Sequence, residues 1–520
     1  MDPTALKINT VQQCKDWLAL LPLTNAQQAH GALTAQIKLL NTAKLAPEVR
    51  LQIMEVLREP VAFVQAERAK RFCSQPVPLD PATAQVWNDA IGLWQAMLQG
   101  YEACVDAGNA FIALVCQRAL GYAGLAMHDH NRICRAIPSA LWQQLHRLFA
   151  AVESFGLADT PVSDFVGRDN PNTSCAATYL QVLLAQHASP DALTLAQITA
   201  ANRWLKQWSS LVTLTKTRSP DNSDHQLAVV LGTGSGARDG KDLQPSLNVR
   251  YLELGRLGAM LAQTIAGLRN GKSPAELALG ADLRRPDCEN LLLLLNTQWC
   301  GVGSGRTEER SPSSLKVMVS MQIAAMHFHL SGRAFRQPGA RLSKREEDDM
   351  QMFGHVSERT EKALLSQRSG ALETWEIINH SRSGILGMCR QPDAATRISH
   401  NQLLGLRTAT GKTFYLGTVQ RLLIDESGAV SIGLRVIPGT PQPIAARIPG
   451  VVTVDGNKYD RALLMPADDT RKIPASLIMA PSAYQPNRHV DLYIDTQKPA
   501  KLTSLLDKGI NFERTTFALS

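Results

Sequence analysis

Over residues 1–217 the apolar positions recur at three- and four-residue intervals. Trp17, Leu20 and Leu21 keep this spacing, as do Ile91, Trp94, Met97, Leu98 and Tyr101, so each set lines one face of a helix. Pro and Asp punctuate the pattern at Leu45-Ala46-Pro47, Leu79-Asp80-Pro81 and Ser189-Pro190-Asp191, where Ser or Asp can cap the helix that follows. No fixed repeat period is present, which argues for an irregular helical domain rather than a solenoid.

A polar stretch at 218–225 interrupts the periodicity. Strand-like runs follow at Leu227–Leu231 and Leu247–Leu254, then helical spacing over about 255–268 and 286–299, so 218–300 reads as a small α/β connector. From 301 the period shortens to two. Leu315–Met321, Trp375–Ile378, Ile385–Cys389, Gln402–Thr408, Phe414–Ile424 and Val430–Ile437 are short strand candidates, and Asp425–Gly428 is a hairpin turn. Strands at this spacing suggest an antiparallel barrel over 301–450. It carries a charged, helical insertion at about 331–371, whose opposite charges at i, i+3 and i+4 suit an exposed helix. Residues 451–520 read as a β-rich extension with a helix near 500–508 and a last strand at Phe512–Leu519. The expected fold class is therefore α+β multidomain, an irregular helical domain followed by an antiparallel β-barrel.

Composition narrows the function. At 520 residues the chain exceeds a single core. Its 44% apolar and 19% charged residues are those of a globular protein. A net charge of +8 suits an anionic ligand, but no basic run and only 5% aromatic residues argue against a nucleic-acid polymer. Nine scattered cysteines without a CxxC pair point to free thiols in a reducing cytoplasm and to no structural metal. Met1-Asp2-Pro3-Thr4 lacks the features of a secretory signal, and no apolar run approaches the ~20 residues of a membrane span.

Two clusters carry the candidate chemistry. Arg306 and Arg310 stand four apart just before the first barrel strand, and Asn379-His380-Ser381-Arg382-Ser383-Gly384 lies between two later strands. A guanidinium offers a planar donor fork to phosphate, or to O6 and N7 of guanine. Asn379 can hydrogen-bond a base edge, Ser381 offers a small hydroxyl, Gly384 permits close approach and Arg382 adds a further cation. In order and spacing type the two clusters resemble the RxxxR and [D/N]xSxxG signature of PilZ domains. Phe414–Arg421 and Val430–Val436 are similar to PilZ barrel strands. The resemblance covers about 302–450, with Asn in place of the commoner Asp at 379 and a longer spacer between the motifs than most members have.

It implies a receptor for cyclic di-GMP, not an enzyme, with Arg306, Arg310, Asn379, Ser381, Arg382 and Gly384 around the ligand and no cofactor. The helical domain would then pass the signal to a protein partner. The alternative is a non-binding scaffold with a degenerate barrel.

Other motifs read more simply. Gly232-Thr-Gly-Ser-Gly236 precedes polar residues rather than a helix and is a flexible hairpin loop. Gly271-Lys272-Ser273 lacks the upstream glycine of a phosphate loop, Ala266 standing there. His128, His130 and Cys134 fit a helix-start loop better than a metal site, and His327 and His329 fit packed positions. Ser304 lacks the strand and helix of a nucleophile elbow.

Overall fold

The computed structural model describes residues 5–105, 109–166, 172–219, 226–241, 243–301, 310–338, 344–353, 372–381, 384–390, 396–408, 411, 413–449 and 458–520. The chain divides into two units, Met1–Gly305 and Arg306–Ser520.

The first unit opens with helices α1 (Val11–Ala19), α2 (Ala26–Thr42), α3 (Pro47–Phe72), α4 (Pro81–Glu102), α5 (Ile112–Arg132) and α6 (Ser139–Ser154). A two-residue pairing of β1 (Val162–Ser163) with β2 (Asn172–Thr173) leads to α7 (Cys175–His187) and α8 (Leu195–Trp208). Several helix starts are written in the sequence, although Ser189 makes no side-chain cap and is followed only by a 3-10 turn, Pro190–Ala192. Asp80 accepts from the Thr83 amide to cap α4, Ser174 does so for α7, and Thr194 and Gln197 form a reciprocal capping box on α8. His128 and His130 lie in the last turns of α5, not in a loop that starts a helix, and Cys134 follows its end. The His130 ring already faces the Ala126 carbonyl at 2.9 Å.

Next come β3 (Thr213–Thr215), β4 (Leu227–Val230), β5 (Arg238–Asp239) and β6 (Val249–Glu253), a four-stranded sheet in the order β3-β6-β4-β5. Thr213–Thr215, counted with the helical domain in the sequence, is thus an edge strand held by β6. The loop between β4 and β5 is a hairpin connection, as expected, but its glycines have a packing reason. An added Cβ at Gly236 would meet the Trp142 ring at 2.7 Å, and one at Gly234 would meet Ser139 at 2.7 Å. Helices α9 (Gly255–Arg269) and α10 (Arg285–Cys300) complete the unit. Their Leu257, Leu261, Leu291 and Trp299 share one apolar core with Leu57, Trp94, Leu120 and Trp204 of the earlier helices. Each such side chain contributes roughly 1.5–3 kcal/mol by leaving water.

The second unit holds two closed six-stranded barrels in which every strand pair is antiparallel. The first comprises β7 (Ser311–Ser320), β8 (Glu373–His380), β9 (Ile385–Arg390), β10 (Leu403–Thr408), β11 (Tyr415–Ile424) and β12 (Val430–Ile437), in the order β10-β11-β12-β9-β8-β7. Between β7 and β8 lie α11 (Ile323–Ser331) and the charged α12 (Lys344–Phe353). The second barrel comprises β13 (Gln442–Arg447), β14 (Asp460–Met465), β15 (Ser476–Met479), β16 (His489–Tyr493), β17 (Gln497–Lys508) and β18 (Glu513–Leu519).

Residues 500–508 are therefore strand, not helix. Ala500 and Leu502 alternate inward as a strand requires, but register shifts between Leu502 and Leu505 and between Leu505 and Asp507 break the alternation. In the sequence, Leu502, Leu505 and Leu506 stand at i, i+3 and i+4, the spacing of a helix face.

The barrels share a small core. Leu403, Leu416 and Ile437 of the first and Met326 of α11 pack with Leu463, Met465, Ile478 and Phe512 of the second. Asn511 reinforces this junction: its Oδ1 accepts from the Leu403 amide at 2.8 Å, and its Nδ2 donates to the carbonyls of Leu403 (3.1 Å) and Met321 (3.3 Å).

Candidate ligand site on the first barrel

Arg310 directly precedes β7, whose first residues pair with the end of β8: Ser311 lies opposite His380 and Pro312 opposite Asn379. That pairing brings the two sequence clusters together. Arg310 Nη1 donates to Asn379 Oδ1 at 3.2 Å across 69 residues of chain. A guanidinium has five N–H donors, so this bond commits one of them and steadies the fork. The bond also settles the orientation of the carboxamide, with Nδ2 as its donor end.

Asn379 faces Gly387 across the β8–β9 pair. A Cβ added at Gly387 would lie 2.6 Å from Asn379 Oδ1, so the glycine makes the space that the carboxamide fills. The β8–β9 connection is closed by its own polar groups. The Ser381 amide donates to the Ile385 carbonyl at 2.9 Å, and the Ser381 hydroxyl accepts from the Ile385 amide at 3.2 Å. Ser381 is buried, and the Gly384 amide donates to its carbonyl at 3.2 Å. Gly384 has φ +84°, a left-handed conformation that glycine adopts without steric cost. Its carbonyl accepts from Val436 on β12 at 2.9 Å, which ties the corner to a third strand.

Four of the six site residues are thus described, and all four gather at the β8–β9 corner: Arg310, Asn379, Ser381 and Gly384. Arg306 and Arg382 lie outside the described residues. Ser381 spends its hydroxyl lone pair on the turn, which adds a structural duty to the ligand role that the motif implies. Gly387 escaped sequence reasoning, although its place three residues after Gly384 was a legible signal for close approach. Burial raises the thiol pKa of Cys389, nearby on β9, and the carboxylates of Asp425 and Glu376 raise it further. The corner offers cationic and amide donors beside a tight backbone turn.

A second feature lies in the first unit, a cavity of about 110 Å³ lined by residues including Arg58, Gln117, Arg118, Tyr122, His128 and Asp164. Its charges are already matched. Arg58 Nη2 meets Asp164 at 2.5 Å, and Arg118 holds Glu55 through Nε (3.0 Å) and Nη2 (3.1 Å). Burial, helped by the charges of Arg132 and Lys206, pushes His128 down to about 3, so its ring is neutral.

Comparison with known proteins converges on one family. Residues 12–220 match the family described as cyclic-di-GMP receptor FimW, N-terminal domain, and residues 445–520 match the FimW C-terminal beta-barrel domain. The chain is also 23% identical over 541 aligned positions to the cyclic-di-GMP receptor FimW of Pseudomonas aeruginosa strain PAO1, across 93% of this chain and 86% of that protein. No solved structure matches. The first barrel and its paired motifs lie between the two matched domains. The two FimW domain matches thus stand in order toward the two ends of the chain, and similarity to the relative runs through nearly its whole length.

Proposed function

We propose that this protein is a non-enzymatic receptor for cyclic di-GMP, which it holds on the first barrel in the manner of a PilZ domain. Arg306, Arg310 and Arg382 supply cationic forks, Asn379 a base-edge donor, and Ser381 and Gly384 the tight corner against which the ligand lies. The observation that carries this reading is the Arg310–Asn379 bond, which joins two motifs far apart in sequence into one surface. The name of the relative, a cyclic-di-GMP receptor, supports the same ligand.

Charge-assisted contacts offset the cost of ordering the chain around the ligand. Each charge-assisted hydrogen bond contributes roughly 1.5–3 kcal/mol, against about 1–2 kcal/mol for each backbone residue ordered around the ligand. Because Arg310 is already tied to β8, less of that entropy is left to lose on binding. The output is proposed to be a protein partner engaged through the helical unit, in the cytoplasm. Among the described residues no helix is long and apolar enough to cross a membrane. Calorimetry of the full chain with cyclic di-GMP tests the proposal. Micromolar or tighter binding that disappears in an Arg306→Ala, Arg310→Ala double variant supports it; no heat at tens of micromolar ligand overturns it.

A further inference from the structure

We propose that the site continues across the outer face of the first barrel to Arg421, whose guanidinium contacts the second guanine of the same ligand, over a floor made by Gly387 and Gly433. This rests on the reading of the corner as a cyclic di-GMP site.

The strand register supplies the row. Pro312 faces Asn379, Asn379 faces Gly387, Gly387 faces Gly433, and Gly433 faces Arg421, on β7, β8, β9, β12 and β11 in turn. Directly opposed residues send their side chains to the same face of a sheet. The neighbouring pair Met388 and Ile432 is buried inside the barrel, so this row faces out, and Arg421 is exposed.

Two adjacent strands thus carry glycine at opposed positions, where β-branched or aromatic residues are the usual choice. Glycine inside a strand marks close approach of another group. Here the groups are polar side chains leaning in from either side. Asn379 Oδ1 lies 2.6 Å from where a Gly387 Cβ would stand, and Cβ and Cγ of Arg421 lie 2.9 and 3.3 Å from where a Gly433 Cβ would stand.

Both side chains are delivered by the same device. The register shifts between Ile377 and Asn379 on β8, and again between Val419 and Arg421 on β11. Each bulge inserts one residue and re-aims the next polar side chain over its glycine. Two bulges, two glycines and two polar groups therefore frame one shallow strip. Three interstrand spacings put the Asn379 and Arg421 backbones about 14 Å apart, and both side chains reach inward from there. The two side chains lean toward each other over adjacent glycines, so a ligand held at Asn379 lies within reach of Arg421. A guanidinium at the far side can stack on a purine face or present its fork to the O6 and N7 edge.

Calorimetry of the full chain with cyclic di-GMP decides this. Arg421→Ala is expected to weaken binding by tenfold or more, without recovery in Arg421→Lys, which lacks the planar fork. Gly433→Val, which fills the floor, is expected to weaken binding as well. If Arg421→Ala loses stability, Arg421→Gln, which keeps much of the stem over Gly433, becomes the deciding variant. A loss of threefold or more in the deciding variant supports the proposal, and a smaller change overturns it while leaving the corner site intact. A native protein that binds no cyclic di-GMP overturns the corner site itself, a result distinct from the previous one.

Discussion

Arg310 Nη1 and Asn379 Oδ1 meet at 3.2 Å, although 69 residues separate them. The contact holds a cation beside the Asn379 carboxamide. Arg310→Ala is expected to weaken cyclic di-GMP binding by tenfold or more, and Arg310→Lys to bind poorly, because an ammonium lacks the fork. If preorganisation matters, Arg310→Ala and Asn379→Ala will be non-additive. A double-mutant cycle read by calorimetry checks this, with a coupling energy of about 0.5–3 kcal/mol expected for residues in contact.

Gly387→Ala separates packing from folding. The added methyl would press on the Asn379 carboxamide at 2.6 Å and turn it out of place. Affinity should fall severalfold while the denaturant midpoint moves little, since the displaced group lies on the outer face. Gly384→Ala should behave differently. Its φ of +84° costs an L-residue about 1–2 kcal/mol, so stability and affinity should fall together in urea titration and calorimetry.

The inside of the first barrel holds an ion pair. Arg390, 1% exposed, meets Glu373 through Nε (2.7 Å) and Nη2 (2.9 Å), donates to the Thr396 carbonyl, and lies over the Trp375 ring. Burial pushes the Glu373 pKa up, but the hydrogen bonds from Arg390, Thr396 and Trp375 outweigh it and hold the carboxyl below its ordinary range. Glu373→Ala would strand a buried cation and is expected to cost about 3–5 kcal/mol, read as a lower denaturant midpoint. Replacing both residues with apolar side chains should cost less.

His327 on α11 sets an acid limit on the second unit. Burial holds its pKa down to about 4, from an ordinary 6.5. Its bond to the Ile444 carbonyl opposes this shift, and the charges of Arg461 and Arg333 reinforce it. The unfolded chain therefore takes a proton at pH near 6.5 that the folded chain refuses until about 4. The stability from this group is complete above 6.5 and is lost as pH falls through that window. Melting temperatures between pH 7.5 and 4.5 should drop, and His327→Gln should flatten part of the slope.

Much of the fold was legible because it rests on local chemistry. Asp80 announces a helix through its side chain, and period-two alternation announces β12. The strand β17 was not legible, since Leu502, Leu505 and Leu506 carry helical spacing and two bulges break the alternation. The second barrel was hidden for a related reason. Its first strand, Gln442–Arg447, follows β12 after a short turn and looks like one more strand of the first barrel. Only the pairing of β13 with β14 and β16 assigns it elsewhere.

The sequence by itself determined the residue types of the candidate site, the paired arginines and the Asn-Ser-Gly corner, because each is a local choice of side chain or backbone freedom. It also determined that helices precede strands, since the apolar period changes near residue 301. Tertiary structure alone decided that Arg310 reaches Asn379, and that Asn379, Gly387, Gly433 and Arg421 form one row. Those relations depend on strand register, and a single bulge moves every later side chain to the other face of the sheet.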